Sequence, residues 1–224
     1  MVVLATRCYV EGDARQRALD SLRSLVNDAL GDLEVAYDVG VRDDDFPSVT
    51  VEGPDATAAR NVLREAWGEI TPHLTEGEVS VGTLEAWDTE GFQLDAGRPV
   101  RIPAAELGLG PGDPDQIRRR FGLVQHVPLR FVPGDPPALA AAERDRLFEW
   151  RRGTGRVNVN SATRSEVRAT VNRAGHAADI VTVDRLGLLE QSIVCAPETD
   201  PPGLLAEIGD YLPAELLAVM PESP

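Results

Sequence analysis

The side chains best equipped for chemistry are arginines, and they cluster. Arg118, Arg119 and Arg120 are consecutive, Arg151 and Arg152 are adjacent, and Arg130 and Arg156 lie within the same stretch of chain. A guanidinium offers a planar fork of donors that matches phosphate oxygens two at a time, so grouped arginines suit a phosphate-bearing partner. Trp87 adds a flat face on which a base can stack. The competing reading is internal. Asp113, Asp115, Glu143, Asp145 and Glu149 are interspersed among these cations, at spacings that pair opposite charges along a helix.

Charge by segment sharpens that choice. The chain has 224 residues and a net charge of −15, and all 22 of its basic residues are Arg. Residues 1–78 carry 16 acids and 7 Arg, and residues 161–224 carry 10 acids and 4 Arg. Residues 79–160 carry 11 of each and are neutral. A chain this acidic and without Lys reads as adapted to molar salt, where charges are screened within about 3 Å. On such a chain overall acidity says little about partners, whereas a neutral middle stands out. RNA or a ribonucleoprotein is the expected partner of that middle.

Other chemistries find less support. His73, His126 and His176 are isolated from one another, and Cys8 and Cys195 are far apart, so no zinc spacing arises. Gly108-Leu109-Gly110-Pro111-Gly112 holds a Pro and does not open a βαβ unit, so it reads as a turn rather than a dinucleotide loop. The sequence holds no GxSxG, phosphate-loop or HExxH motif. Asp179, Asp184, Glu190 and His176 could gather near the strands of the last segment, although carboxylates flanking strands are usually solvated. The expectation is a non-enzymatic protein with no cofactor and no metal. Two lone thiols, no signal-like start and no apolar run of about 18 residues point to a cytoplasmic chain outside the membrane.

The elements that must position these residues follow from periodicity. In residues 1–78, Val2 to Val10 reads as a strand. Leu19, Leu22, Leu25, Val26, Ala29 and Leu30 follow at helical spacing. Val35 to Val41 alternates as a strand, Ser48 to Glu52 is another, and a helix runs on from Asp55. This order, β-α-β-β-α, is most of a ferredoxin-like unit. Residues 79–135 read as short strands at Val79 to Trp87, Phe92 to Asp95, Val100 to Ile102 and Val127 to Val132, with a short helix at Gln116 to Phe121. They suggest a small β-barrel. Residues 136–154 read as a helical link. In residues 155–224, Thr163 and Glu166 form a capping box, Pro201 opens a second helix, and the order is β-α-β-β-α-β. The fold class expected is α+β, two ferredoxin-like sandwiches flanking an S1/OB-like barrel.

Three resemblances accompany these readings. Gly82-Thr83-Leu84, Gly91 to Gly97 and Ile102 to Leu107 resemble an S1-type OB barrel, a family that binds RNA on a strand face. Where that family exposes an aromatic this chain has Gln93, with Phe92 facing inward. Thr199, Asp200 and Gly203, in Thr199-Asp200-Pro201-Pro202-Gly203, resemble the strand-to-helix turn with which ACT domains bind small effectors. That implies, as the second functional reading, a regulatory module whose helix amides hold a ligand carboxylate. A good helix start, an Asp cap followed by Pro, explains the same residues. Finally, Arg156 to Asn160, Arg173 to Val181, Gly187-Leu188-Leu189-Glu190 and Thr199 to Gly203 resemble the archaeal family named domain of unknown function 2110, over nearly the whole chain. That resemblance implies an archaeal protein and carries over no activity or site.

Overall fold

The computed structural model of the chain describes residues 1–222. Residues 1–78 form a three-stranded antiparallel sheet backed by two helices. The strands are β1 (Val2–Val3), β2 (Ala36–Val41) and β3 (Pro47–Glu52), in the order β1-β3-β2, and the helices are α1 (Gly12–Leu30) and α2 (Ala56–Trp67). In α1 the residues Ala18, Leu22, Val26 and Leu30 recur every fourth position and are buried, the stripe an amphipathic helix lays on a core. The strand expected over Val2 to Val10 stops early. Beyond an isolated bridge at Leu4, the backbone N–H groups of Ala5 and Cys8 donate to loop carbonyls of Gly68 and Asp45. The polar side chains of Thr6, Arg7 and Tyr9 are drawn toward the other segments, and a sheet cannot hold both.

The central segment begins with β4 (Ser80–Asp88), β5 (Gly91–Asp95) and β6 (Pro99–Pro103). A turn of 3₁₀ helix at Ala104–Glu106 and α3 (Pro114–Arg120) lead to β7 (Pro128–Val132), β8 (Ala138–Leu139) and α4 (Ala141–Arg152). The five strands pair antiparallel in the order β6-β5-β4-β7-β8. A bulge between Leu84 and Ala86 bends β4, and the sheet curls into a half-barrel whose edge strands β6 and β8 touch without pairing. Gly91, with φ 152°, sits so close to the Ile102 carbonyl of the neighbouring strand that a Cβ would overlap it. Phe92, Leu94, Ile102, Phe121, Leu129 and Phe131 fill the concave side and are fully buried.

The stretch expected to be a helical link belongs to this layer. Ala138 and Leu139 pair with Val132 and Phe131 as a strand, not a helix, and Leu147 and Trp150 of α4 enter the central core. A strand here gives β7 a second partner and buries Leu139, which outweighs its helix propensity.

The last segment contains β9 (Arg156–Val159), α5 (Arg164–Arg173), β10 (Ile180–Arg185), β11 (Gln191–Cys195), α6 (Pro201–Gly209) and β12 (Leu216–Val219). Its sheet is antiparallel in the order β10-β11-β9-β12. The expected capping box is present: the Thr163 side chain accepts from the Glu166 amide, and Glu166 accepts from the Thr163 amide at 2.8 Å. Val157, Val159 and Ile193 face α5 and α6, while Asn158, Leu217 and Val219 face the central segment.

One hairpin of the last segment reaches into the first. The turn between β10 and β11 carries Leu188 and Leu189, which are buried in the core of the first segment beside its own strands and helices. Among the described residues no helix is long and apolar enough to cross a membrane.

Candidate functional site

The arginines singled out by sequence are spent largely on neighbouring carboxylates. Arg118 is buried, its side chain 5 % exposed. It donates to the Leu123 carbonyl at 3.0 Å and to Glu215 at 2.6 Å, so it ties α3 to the chain just before β12. Arg119 points outward, 68 % exposed, and pairs with Asp115 at 2.9 Å. Arg120 donates to the Pro111 carbonyl. Arg152 pairs with Glu149, Arg151 with Glu222 at 3.1 Å, and Arg156 with Asp184 at 3.1 Å. Trp87 stacks against Arg118 and donates its indole N–H to Asp115, so its face is taken by the protein. Of the carboxylates interspersed with these cations, Asp115 takes Arg119 and Glu149 takes Arg152, while Arg118, Arg151 and Arg156 reach Glu215, Glu222 and Asp184 farther along the chain.

The turn at Asp200 is likewise occupied from within. The Asp200 carboxylate accepts from the Gly203 amide at 2.9 Å, and the Thr199 hydroxyl donates to the Asp179 carbonyl at 3.0 Å. A ligand carboxylate would have to displace the capping Asp and meet its charge. Asp179, Asp184, Glu190 and His176 do not assemble into one group. His176 lies between Asp179 at 2.6 Å and Glu207 at 2.5 Å, and its pKa is raised by those partners, Asp179 first. Asp184 serves Arg156, and Glu190 points into the seam between segments. No group of three or more His, Cys, Asp or Glu able to hold a metal ion occurs among the described residues.

What the structure does bring together lies where the three segments meet. One face of that seam is a polar network. Glu85 of β4 takes an ion pair from Arg7 at 2.6 Å, a hydrogen bond from the Thr83 hydroxyl at 2.6 Å, and the His126 ring at 3.1 Å. Burial alone would raise its pKa, but His126, Thr83 and Arg7 together hold it down to about 2. The Tyr9 ring packs on His126 with centroids 4.1 Å apart, and its hydroxyl donates to Glu190 at 2.8 Å while accepting from the Ser161 amide at 2.9 Å. One network thus joins residues from all three segments.

The other face is an open cleft of about 800 Å³. Its walls come from the end of α2, the start of β4, β7, α4 and the β10–β11 turn. Arg64, Arg130, Arg146 and Arg185 line it, with Trp67 and His73, against Glu65, Glu69 and Glu78. Arg130 and Arg146 both lean on the fully buried Glu143, and Arg64 pairs with Glu69 at 2.6 Å. Arg185 is different. It keeps solvent access, its guanidinium carbon lies 5.6 Å from the Trp67 ring centroid, and desolvation together with nearby Arg164 lowers its pKa. Among the described residues no carboxylate pairs with that cation, so an anion entering the cleft would meet a charge these residues leave uncompensated.

Of the cluster named from sequence, only Arg130 reaches the cleft. Arg64, Arg146, Arg185 and Trp67 carry no local signal, because they are scattered through the chain and converge only when the segments pack.

All three segments match models of a single family: the DUF2110 N-terminal domain over residues 1–73, the DUF2110 central domain over residues 74–151, and the DUF2110 C-terminal domain over residues 154–220. No curated protein matches the chain. With its three models matching in order across nearly the full length, the chain belongs to the DUF2110 family.

Proposed function

We propose that the chain is a non-enzymatic, RNA-associated factor that takes a short single-stranded segment into the cleft between its three segments. The observation that carries this reading is Arg185, without a counter-ion among the described residues and set against the face of Trp67 in a cleft of about 800 Å³. An arginine beside a half-buried tryptophan at the edge of a cleft suits a phosphate and its attached base. At molar salt counterion release contributes little, so stacking and shape must supply much of the affinity. A cytoplasmic, salt-rich setting fits the acidic remainder of the surface.

The finer fold reading belongs to the same proposal. Residues 155–224 are read as a ferredoxin-like sandwich, supported by the order β10-β11-β9-β12 with both helices on one side. Residues 1–78 are the same unit lacking its last strand, with β1-β3-β2 in the corresponding order. Residues 79–135 are read as an S1/OB-like sheet, supported by the order β6-β5-β4-β7, by the helix between β6 and β7, and by β8 just beyond them, which extends the sheet beside β7 and touches β6.

Fluorescence anisotropy with a pool of short labelled single-stranded RNAs in molar KCl tests the function. Arg185→Glu and Trp67→Ala are expected to weaken binding at least tenfold, whereas Arg119→Glu and Arg152→Glu leave it unchanged. Equal loss from the two sets, or no binding by the folded wild type, overturns the reading.

A further inference from the structure

Glu190 is fully buried, and its carboxyl is only half satisfied. Oε1 accepts from the Tyr9 hydroxyl at 2.8 Å, while Oε2 has no partner. It packs against Gly187, where a Cβ would overlap the carboxyl oxygen. The residue stands at the base of the same turn whose Leu188 and Leu189 fill the core of the first segment. A few residues away, the Leu188 amide donates to the Thr6 hydroxyl at 2.6 Å. This carboxyl therefore sits in the middle of the contact between the first and last segments.

We propose that Tyr9 and Glu190 form a proton-operated latch: with its carboxyl neutral, Glu190 holds the first segment on the last, and loss of its proton loosens that contact. The reasoning is one of desolvation. A buried carboxylate with an unpartnered oxygen must be stabilised or must leave the interior. The groups facing it offer little relief. Tyr9 and Cys8 approach from the first segment and Glu85 from the central one, and the last repels a negative charge. Arg7 and His126 are engaged by Glu85 rather than by Glu190. The Tyr9 hydroxyl supports the charged form most, with smaller help from the backbone N–H groups of Leu189 and Glu190, and together they do not offset burial. Burial consequently pushes the carboxyl up to about 8, against the opposing hydrogen bond from Tyr9.

The sign follows. A folded pKa raised above the unfolded value gives stability that is complete below the ordinary carboxylate range and lost as pH climbs toward 8. Between the ordinary carboxylate range and 8 each pH unit weakens the latch about tenfold, and above 8, where both states are ionised, the loss levels off. His176 shifts in the same direction through its own carboxylate partners, so total stability does not isolate Glu190, and a local measurement against variants does. The inference is independent of what the cleft binds.

Hydrogen exchange of the whole chain in molar KCl, converted to protection factors from pH 6 to pH 9, tests it. In the wild type, residues 4–9 and 186–191 should lose at least tenfold protection between pH 7 and pH 9, while residues 167–171 of α5 do not. Glu190→Gln keeps the shape but cannot ionise, and its step should vanish. Tyr9→Phe removes the largest of the hydrogen bonds favouring the carboxylate, so its step should move to higher pH. A wild type without the step, a step that survives Glu190→Gln, or a Tyr9→Phe step that does not move overturns the latch. Should Glu190→Gln not fold, the wild type and Tyr9→Phe decide the matter between them.

Discussion

The Arg118 guanidinium carbon lies 3.8 Å from the centroid of the Trp87 ring, while the same group donates to Glu215 at 2.6 Å. The first residue of an arginine triplet thereby becomes a rivet between the central sheet and the last one. Its neighbour Arg119 reaches solvent and is held only by an exposed partner one helical turn away.

That contrast sets the first expectation. Arg118→Ala strands Glu215 and opens the stack on Trp87, and breaking a largely buried pair costs about 3 kcal/mol. Arg119→Ala removes a surface pair and should change stability by about 0.5 kcal/mol or less. Guanidinium or urea titration in molar KCl measures both. Comparable small losses would mean that Arg118 is not holding the segments together.

Leu189 gives a second expectation. It belongs to the last segment in sequence and to the first in packing. Leu189→Ala should cost about 2–4 kcal/mol, the range for a buried leucine. The distinctive readout is location. Hydrogen exchange should rise in α1 and β3 as well as in β10 and β11, and a rise confined to residues 180–195 would contradict the shared core.

Salt provides the third. The first and last segments hold the excess acids and the middle is neutral. Lowering KCl from molar to about 0.01 M lengthens screening from about 3 Å to about 30 Å, and carboxylate repulsion then opposes compaction. Charge alone has the two outer segments loosening ahead of the middle. Leu188, Leu189, Tyr9–Glu190 and the Arg17–Glu166 pair at 2.6 Å make them loosen together. Exchange measured by segment while salt is stepped down checks this. Outer segments that stay as protected as residues 79–135 at low salt would refute it.

Local pattern made most elements legible. The four-residue stripe of α1, the Thr163–Glu166 box and the Asp200-Pro201 start of α6 are signals that neighbouring residues carry by themselves, and each element forms where they place it. Val2 to Val10 and Ala138-Leu139 misled because their conformation is decided from outside, by polar anchors in one case and by a strand needing a partner in the other. The site was hardly legible. Arg118 finds Glu215 across 97 residues and Tyr9 finds Glu190 across 181, and no spacing rule reaches so far. Gly187-Leu188-Leu189-Glu190 stood out as a motif, but that it completes a core elsewhere is a fact of packing.

The borrowed leucines also set an order in time. A ribosome delivers residues 1–78 well before it delivers Leu188 and Leu189, so the first segment emerges with its apolar interior unfinished. Contacts that span so much chain close slowly, and an interior left open meanwhile exposes sticky surface to other molecules. The nascent chain must wait for its final strands before its opening ones can settle, which places the burden of chaperoning on the start of the protein rather than its end.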